Sequence, residues 1–367
     1  MMQNLGFQER IIHELRSLYN RSGYSHYKMS KFEEYDLYAR NKDFLISDRV
    51  ITFMDVGGRL MALKPDVTLS IVKNTRDCLP GVQKLYYHEN VYRVTPGAHG
   101  FREIMQLGLE CLGAIDDWCQ WEVLNLAAES LRSISDRGVL DISHLGLLEQ
   151  LLGDIGIPAG GREDALRFVS EKNVHDLASL CRGFGIHQER ITLLRQALDC
   201  CGAPEAVLPR LHSLLSGITD TAPVDELMRL TDALSPEIRA MIRFDFSAVD
   251  DVRYYNGILF KGYIPGIPQR VLSGGRYDRL MASMGRKAGA VGFAVYMDAL
   301  ERLENTREEF DADDLLLYDG GATLAQLSAK VQELRNQGRS VLVQRVVPEN
   351  IRVRRVLKLT GGEVVEV

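Results

Sequence analysis

Apolar residues recur at helical spacing near the start of the chain, at Ile11, Ile12, Leu15 and Leu18, and Gly23 follows as a stop. That spacing predicts one amphipathic helix over residues 1–22, with no signal-peptide core. From about 24 to 113 the period shortens to two. VITFMDVGGRLMALKPD predicts a hairpin turning at Gly57–Gly58, while KLYYHENVYRV and FREIMQLGLECLG predict two longer strands joined by TPGAHG. A helix is expected over 119–134. Residues 140–235 are leucine-rich, with breaks at GDIGIPAGG, GFGI and CGAPE, and predict a separate helical insertion. Strand patterning resumes at 242–262. Ser273-Gly274-Gly275 predicts a tight turn opening a helix, and AGAVGFAVYMDALERL a strand running into a helix. After the acidic stretch NTREEFDADD, the segments LLLYDGG, ATLAQLSAKVQELRNQG and SVLVQRVV predict a β-α-β unit, followed by a short helix and the strand EVVEV.

Composition narrows the function classes. The 367 residues are 46% apolar and 26% charged, which fits two or three globular domains. No run reaches the roughly 18 apolar residues of a membrane span. The net charge of −6 gives no global field for gathering phosphates, which counts against nucleic-acid binding. Six cysteines, none in a C-x-x-C pair, are expected to be reduced core thiols, and no metal site is expected. Neither a Walker A sequence nor a G-x-G-x-x-G after a strand occurs, so Gly57–Gly58 is expected to turn a hairpin rather than cradle phosphate.

The strand from Arg102 to Leu112 carries the first candidate chemistry. With period two, Glu103, Met105, Leu107, Leu109 and Cys111 share a largely apolar face. Gln106, Gly108 and Glu110 share the other, so an amide and a carboxylate flank a position without a side chain. That face is either a slot for a small ligand with N–H donors or a solvated outer surface. Tyr254-Tyr255-Asn256 is expected to open a strand, where alternation would let only one of the tyrosines line a pocket.

Five segments in one order bring a resemblance: Gly58–Thr68 (GRLMALKPDVT), the hairpin 84–113, Tyr254-Tyr255-Asn256, Gly274-Gly275-Arg276-Tyr277-Asp278 and Val291-Gly292-Phe293-Ala294. Their order and spacing resemble the core of class II histidyl-tRNA synthetases over about 5–135 and 240–305. The resemblance implies an α+β fold, an antiparallel sheet flanked by helices, formed by 1–138 with 240–308. Residues 139–239 would be the helical insertion, and 309–367 a truncated anticodon-binding-like unit.

Carried over position by position, the resemblance implies a histidine-binding site. Asp66, Thr68 and Gln106 match contacts to the α-amino group, although the family usually has Glu where Asp66 stands. Glu110 matches the carboxylate that reads the imidazole, and Tyr255 its tyrosine partner. Arg93 matches an arginine on the carboxylate and α-phosphate, and Tyr254 and Tyr277 line the pocket. Such groups complement an ammonium and an imidazole N–H.

The positions that handle ATP depart from the family. Ala299 replaces an arginine and Tyr296 a glycine. Asp250-Asp251-Val252-Arg253 replaces a run beginning with a catalytic arginine, Thr95 replaces a glutamate, and Ser30 the motif 1 proline. Phosphoryl chemistry depends on fixed positive charge, and loss of one such donor costs about 10²–10³ in rate. No catalytic residue is therefore expected, and no cofactor.

A histidine site without an ATP site resembles the ATP phosphoribosyltransferase regulatory subunit family of histidine biosynthesis. That likeness implies a cytoplasmic, non-catalytic subunit working with a short-form catalytic subunit in a hetero-octamer, with L-histidine as effector and without tRNA or membrane. It also implies a homodimer around residues 24–60, with movable loops near 66–68 and 254–257. A divergent active histidyl-tRNA synthetase, or an amino-acid-sensing module with another partner, remains open at this point.

Overall fold

The computed structural model describes residues 6–45, 49–94, 100–249, 254–300, 310–360 and 363–367. The expectations placed on Thr95, on Asp250–Arg253 and on most of the acidic stretch before Phe310 lie outside the described residues. The chain divides into two compact units, Ile11–Leu300, and Met1–Arg10 with Glu301–Val367.

The larger unit is built on a nine-stranded sheet. Its strands are β1 (Ser25–His26), β5 (Val82–Val94), β6 (Phe101–Gly113), β7 (Val139–His144), β8 (Cys201–Gly202), β9 (Ile242–Asp245), β10 (Ile258–Tyr263), β11 (Leu272–Arg276) and β12 (Gly289–Tyr296). The order is β1-β5-β6-β12-β11-β10-β7-β9-β8, with every pair from β5 to β7 antiparallel. A separate antiparallel sheet, β2-β4-β3, joins β2 (Phe32–Glu34), β3 (Thr52–Met54) and β4 (Leu60–Leu63). The β3–β4 hairpin turns where expected: Gly58 takes φ +76° and Asp55 Oδ1 accepts from the Gly57 and Arg59 amides.

One face of the large sheet is covered by α1 (Phe7–Arg21) and α4 (Asp117–Ile134). Ile11, Leu15 and Tyr19 form the buried stripe of α1, with Tyr19 taking the place expected of Leu18. Tyr19 stands edge-on to Phe293 of β12, and its hydroxyl meets Ser130 of α4 at 2.9 Å. Asp116 caps α4 by accepting from the Cys119 amide. The opposite face of the sheet bears α2 (Tyr35–Arg40) and α3 (Thr68–Asn74), and a core of Tyr38, Val72, Tyr87, Ile104 and Tyr277 lies there.

Between the sheet strands lie the helices α5 (Leu145–Asp154), α6 (Ala159–Ser170), α7 (Val174–Gly183), α8 (Gln188–Leu198), α9 (Pro204–Leu215), α10 (Ala222–Asp232) and α11 (Pro236–Arg239). Residues 139–144, assigned from sequence to the insertion, are strand β7 inside the main sheet, paired with β10 and β9. Residues 273–275, expected as a turn, are strand β11 and lead directly into α12 (Asp278–Ser283). None of them has positive φ. Glycine is used there for close approach between chains, a signal that looks the same in sequence as a turn.

The smaller unit contains β13 (Ala312–Tyr318), α13 (Leu324–Asn336), β14 (Val341–Gln344), β15 (Val353–Thr360) and β16 (Glu363–Glu366), in the sheet order β14-β13-β15-β16. Residues 353–360 form a strand where a short helix was expected. Alternate β-branched and leucine positions there pair with both β13 and β16. Of the six cysteines, all free, Cys78 and Cys201 are exposed rather than core residues. Among the described residues no helix is long and apolar enough to cross a membrane.

Candidate functional site

Four neighbouring strands, β5, β6, β12 and β11, set the floor of a cavity of about 490 Å³. Register places Leu85, Glu110, Gly292 and Gly275 in one cross-strand row, and Tyr87, Gly108, Ala294 and Ser273 in the next. Small residues here leave room above the sheet. A Cβ on Gly292 would overlap the Glu110 carboxylate, and one on Gly108 would sit 2.5 Å from the Tyr87 hydroxyl. The two strand faces separate as period two requires, but both are buried. Gln106 and Glu110 are 5% and 2% exposed, which excludes a solvated face.

Glu110 forms the closed end. Thr68 Oγ1 lies 2.7 Å from Oε1, and the Tyr277 hydroxyl 2.5 Å from Oε2. Burial pushes the carboxyl from its ordinary 4.5 up to about 8, against the pull of these two hydroxyls and with a further push from Asp66. Burial raises Asp66 too, and the Leu69 amide, donating to Oδ1 at 2.8 Å, and the nearby Arg93 oppose it. Asp66 thus caps α3 as well as facing the cavity. Lys64, fully buried, donates to Glu89 at 2.9 Å and fixes the end of β4 just ahead of Pro65-Asp66.

All eight residues singled out from sequence, Asp66, Thr68, Arg93, Gln106, Glu110, Tyr254, Tyr255 and Tyr277, line this one cavity. Tyr277 donates to Glu110, while Tyr255, which the resemblance pairs with Glu110 in reading the imidazole, has its ring over Gly275 and 4.9 Å from Tyr254. One detail differs from expectation. Both Tyr254 and Tyr255 face the cavity because they precede β10 rather than open it, so strand alternation does not apply. The segment is held from behind. Asn256 donates to Asp278, Asp278 accepts from Arg276 at 2.7 Å and from the Ala290 amide, and Asn256 N bonds Arg276 O. This explains why Tyr-Tyr-Asn and Gly-Gly-Arg-Tyr-Asp occur together.

Arg93 is buried, with its guanidinium 5.8 Å from the centre of the Tyr296 ring. Ala299 is 2% exposed in a short turn, Met297–Leu300, and does not line the cavity. The cationic lining residues are Lys42, Arg93 and Arg167, against the carboxylates Asp43, Asp66, Glu110, Glu163 and Asp164. Among the described residues no group of His, Cys, Asp and Glu is arranged to hold a metal ion.

Sequence reasoning missed Tyr87 and α6. Tyr87 was detectable by registering the hairpin, which sets it opposite Gly108. On α6, Glu163, Arg167 and Ser170 share one helical face at spacings of four and three, but nothing local to them indicates which cavity that face meets.

An antiparallel sheet with this floor, and with the motif segments converging on one cavity, defines a class II aminoacyl-tRNA synthetase-like core of α+β type. The model of the family described as histidyl-tRNA synthetase matches residues 3–300, and the chain belongs to that family. Its relatives carry two kinds of name. A protein of Oceanobacillus iheyensis called ATP phosphoribosyltransferase regulatory subunit is 26% identical over 91% of this chain and 84% of its own length. A histidine–tRNA ligase of Methanocaldococcus jannaschii is 30% identical over 78% of this chain and 69% of its own. The crystal structure of an ATP phosphoribosyltransferase regulatory subunit/histidyl-tRNA synthetase from Bacillus halodurans shares the fold, with TM-score 0.75, 23% identity, and coverage of 92% of this chain and 88% of the other.

Proposed function

We propose that this chain is a regulatory subunit of ATP phosphoribosyltransferase, without chemistry of its own, that binds L-histidine and passes its presence to a short catalytic subunit. The observation that carries this is the contrast inside one cavity. The Glu110–Thr68–Tyr277 end offers a carboxylate and hydroxyls suited to an imidazole N–H. Asp66, Gln106 and Arg93 are placed to take the ammonium and carboxylate. Towards a triphosphate, carboxylates outnumber cations among the described lining residues, and Arg93 stacks near Tyr296. The name shared by the Oceanobacillus relative supports the same reading.

On this reading the chain is cytoplasmic, needs no cofactor, and assembles with the catalytic subunit in a hetero-octamer. Its own two-fold contact would use the β2-β4-β3 sheet, where Phe32, Phe53, Met54, Val56 and Leu60 are exposed and the Phe32 and Phe53 rings meet at 5.5 Å. A role with tRNA is disfavoured by residues 310–367, where eight Lys and Arg are balanced by eight Asp and Glu. Histidine acts by preferring one arrangement of the assembly.

The test is co-purification with a short-form catalytic subunit, followed by phosphoribosyl transfer with and without histidine. Activity that requires this chain and falls with histidine is expected. Histidine-dependent exchange of pyrophosphate into ATP by this chain alone would instead support an active synthetase, the name borne by the Methanocaldococcus relative.

A further inference from the structure

The cavity has one wall that the amino-acid contacts do not use. Leu166, Arg167, Glu163 and Ser170 of α6 line it, as does the 42–45 turn. At about 490 Å³ the cavity falls in the range that takes drug-sized ligands, larger than a single free amino acid fills. The inner contacts come from β5, β6, the start of α3 and the segments before β10 and α12, whereas α6 belongs to the helices between β7 and β9. Leu166 is buried, but Glu163 and Arg167 are exposed, and Arg167 holds Asp164 at 3.0 Å within its own helix. The charged end of Arg167 can be re-aimed without breaking the fold. At its C-terminal end α6 is followed by Lys172, which adopts φ +54° and reaches Asp245 of β9 at 3.1 Å. A non-glycine residue with positive φ is a local point of strain, placed between α6 and its tie to the sheet.

We propose that α6 is the adjustable outer wall of the amino-acid pocket. It moves in against the bound amino acid, with Arg167 and Glu163 as positioning residues, and so makes the helices between β7 and β9 the part of the chain that registers occupancy. This rests on the histidine-binding reading above and adds where the signal leaves the site. Closing a surplus volume removes water from around the ligand and strengthens the inner contacts. The differential contact with α6 supplies the free energy by which a small ligand shifts a conformational equilibrium.

The experiment uses the full chain, histidine titration calorimetry and hydrogen exchange. Histidine is expected to slow amide exchange in 159–170 as well as around 66–70. Arg167→Ala, an exposed substitution, should leave the melting temperature unchanged yet weaken histidine about three- to tenfold. Glu163→Gln serves as a second variant. The proposal is overturned if wild type binds histidine in a Glu110-dependent manner while α6 exchange and the affinities of both α6 variants stay unchanged; the histidine reading then survives. If wild type shows no histidine binding at all, both fall together.

Discussion

Glu110 is a carboxyl whose protonation the fold opposes changing. Its pKa is raised from 4.5 to about 8, so between those values the folded protein keeps a proton that the unfolded chain has released. Stability therefore falls as pH rises through that window. Thermal melts of the ligand-free protein should show a declining melting temperature from pH 5 to 8, and Glu110→Gln should flatten the decline, leaving the contribution of Asp66, which is shifted in the same direction. A second residue separates two roles. Asp66→Asn keeps an acceptor for the Leu69 amide, so it should retain the fold and lose histidine affinity, whereas Asp66→Ala should also lose about 1 kcal/mol of stability with the cap. A third tests the support beneath them. Lys64→Ala takes the buried cation away from the partly buried Glu89, which keeps the Met29 amide as a donor, and should lower the denaturation midpoint. That the eight candidate residues gather at one cavity was legible in the sequence because the motifs that carry them keep their order. Their pairings were less legible: that Tyr277 donates to Glu110 depends on how α12 leaves β11 and not on any local spacing.

At the level of elements, the β5–β6 hairpin was readable because alternating side chains meet two buried faces, and no other period fits. β11 was not. A Ser-Gly-Gly run signals a turn and an over-tight strand equally well, and only its pairing with β10 and β12 decides between them. The segment 353–360 shows a related effect: its strand depends on pairing with β13, about 40 residues earlier, as well as with the neighbouring β16. Tight packing between strands yields a direct expectation. Gly292→Ala would thrust a methyl group into the Glu110 carboxylate, so it should abolish histidine binding by calorimetry and cost about 1–3 kcal/mol in chemical denaturation.

For the whole molecule, the exposed apolar face of β2-β4-β3 is the feature most in need of a partner. Sedimentation of the wild type should report a dimer, and Phe53→Asp a monomer that still binds histidine; a wild-type monomer at micromolar concentration would remove this sheet from the assembly. The helices between β7 and β9 were expected as an insertion, yet one of them, α6, lines the cavity from a distance in sequence that no local pattern reveals.

The bare floor of Gly108, Gly292 and Gly275 constrains descent as well as binding. Where backbone itself bounds a chamber, no substitution at those places can enlarge it, and each one shrinks it. A lineage that changes its small-molecule preference must therefore rework the rim and the tyrosine side, while the base is inherited unaltered.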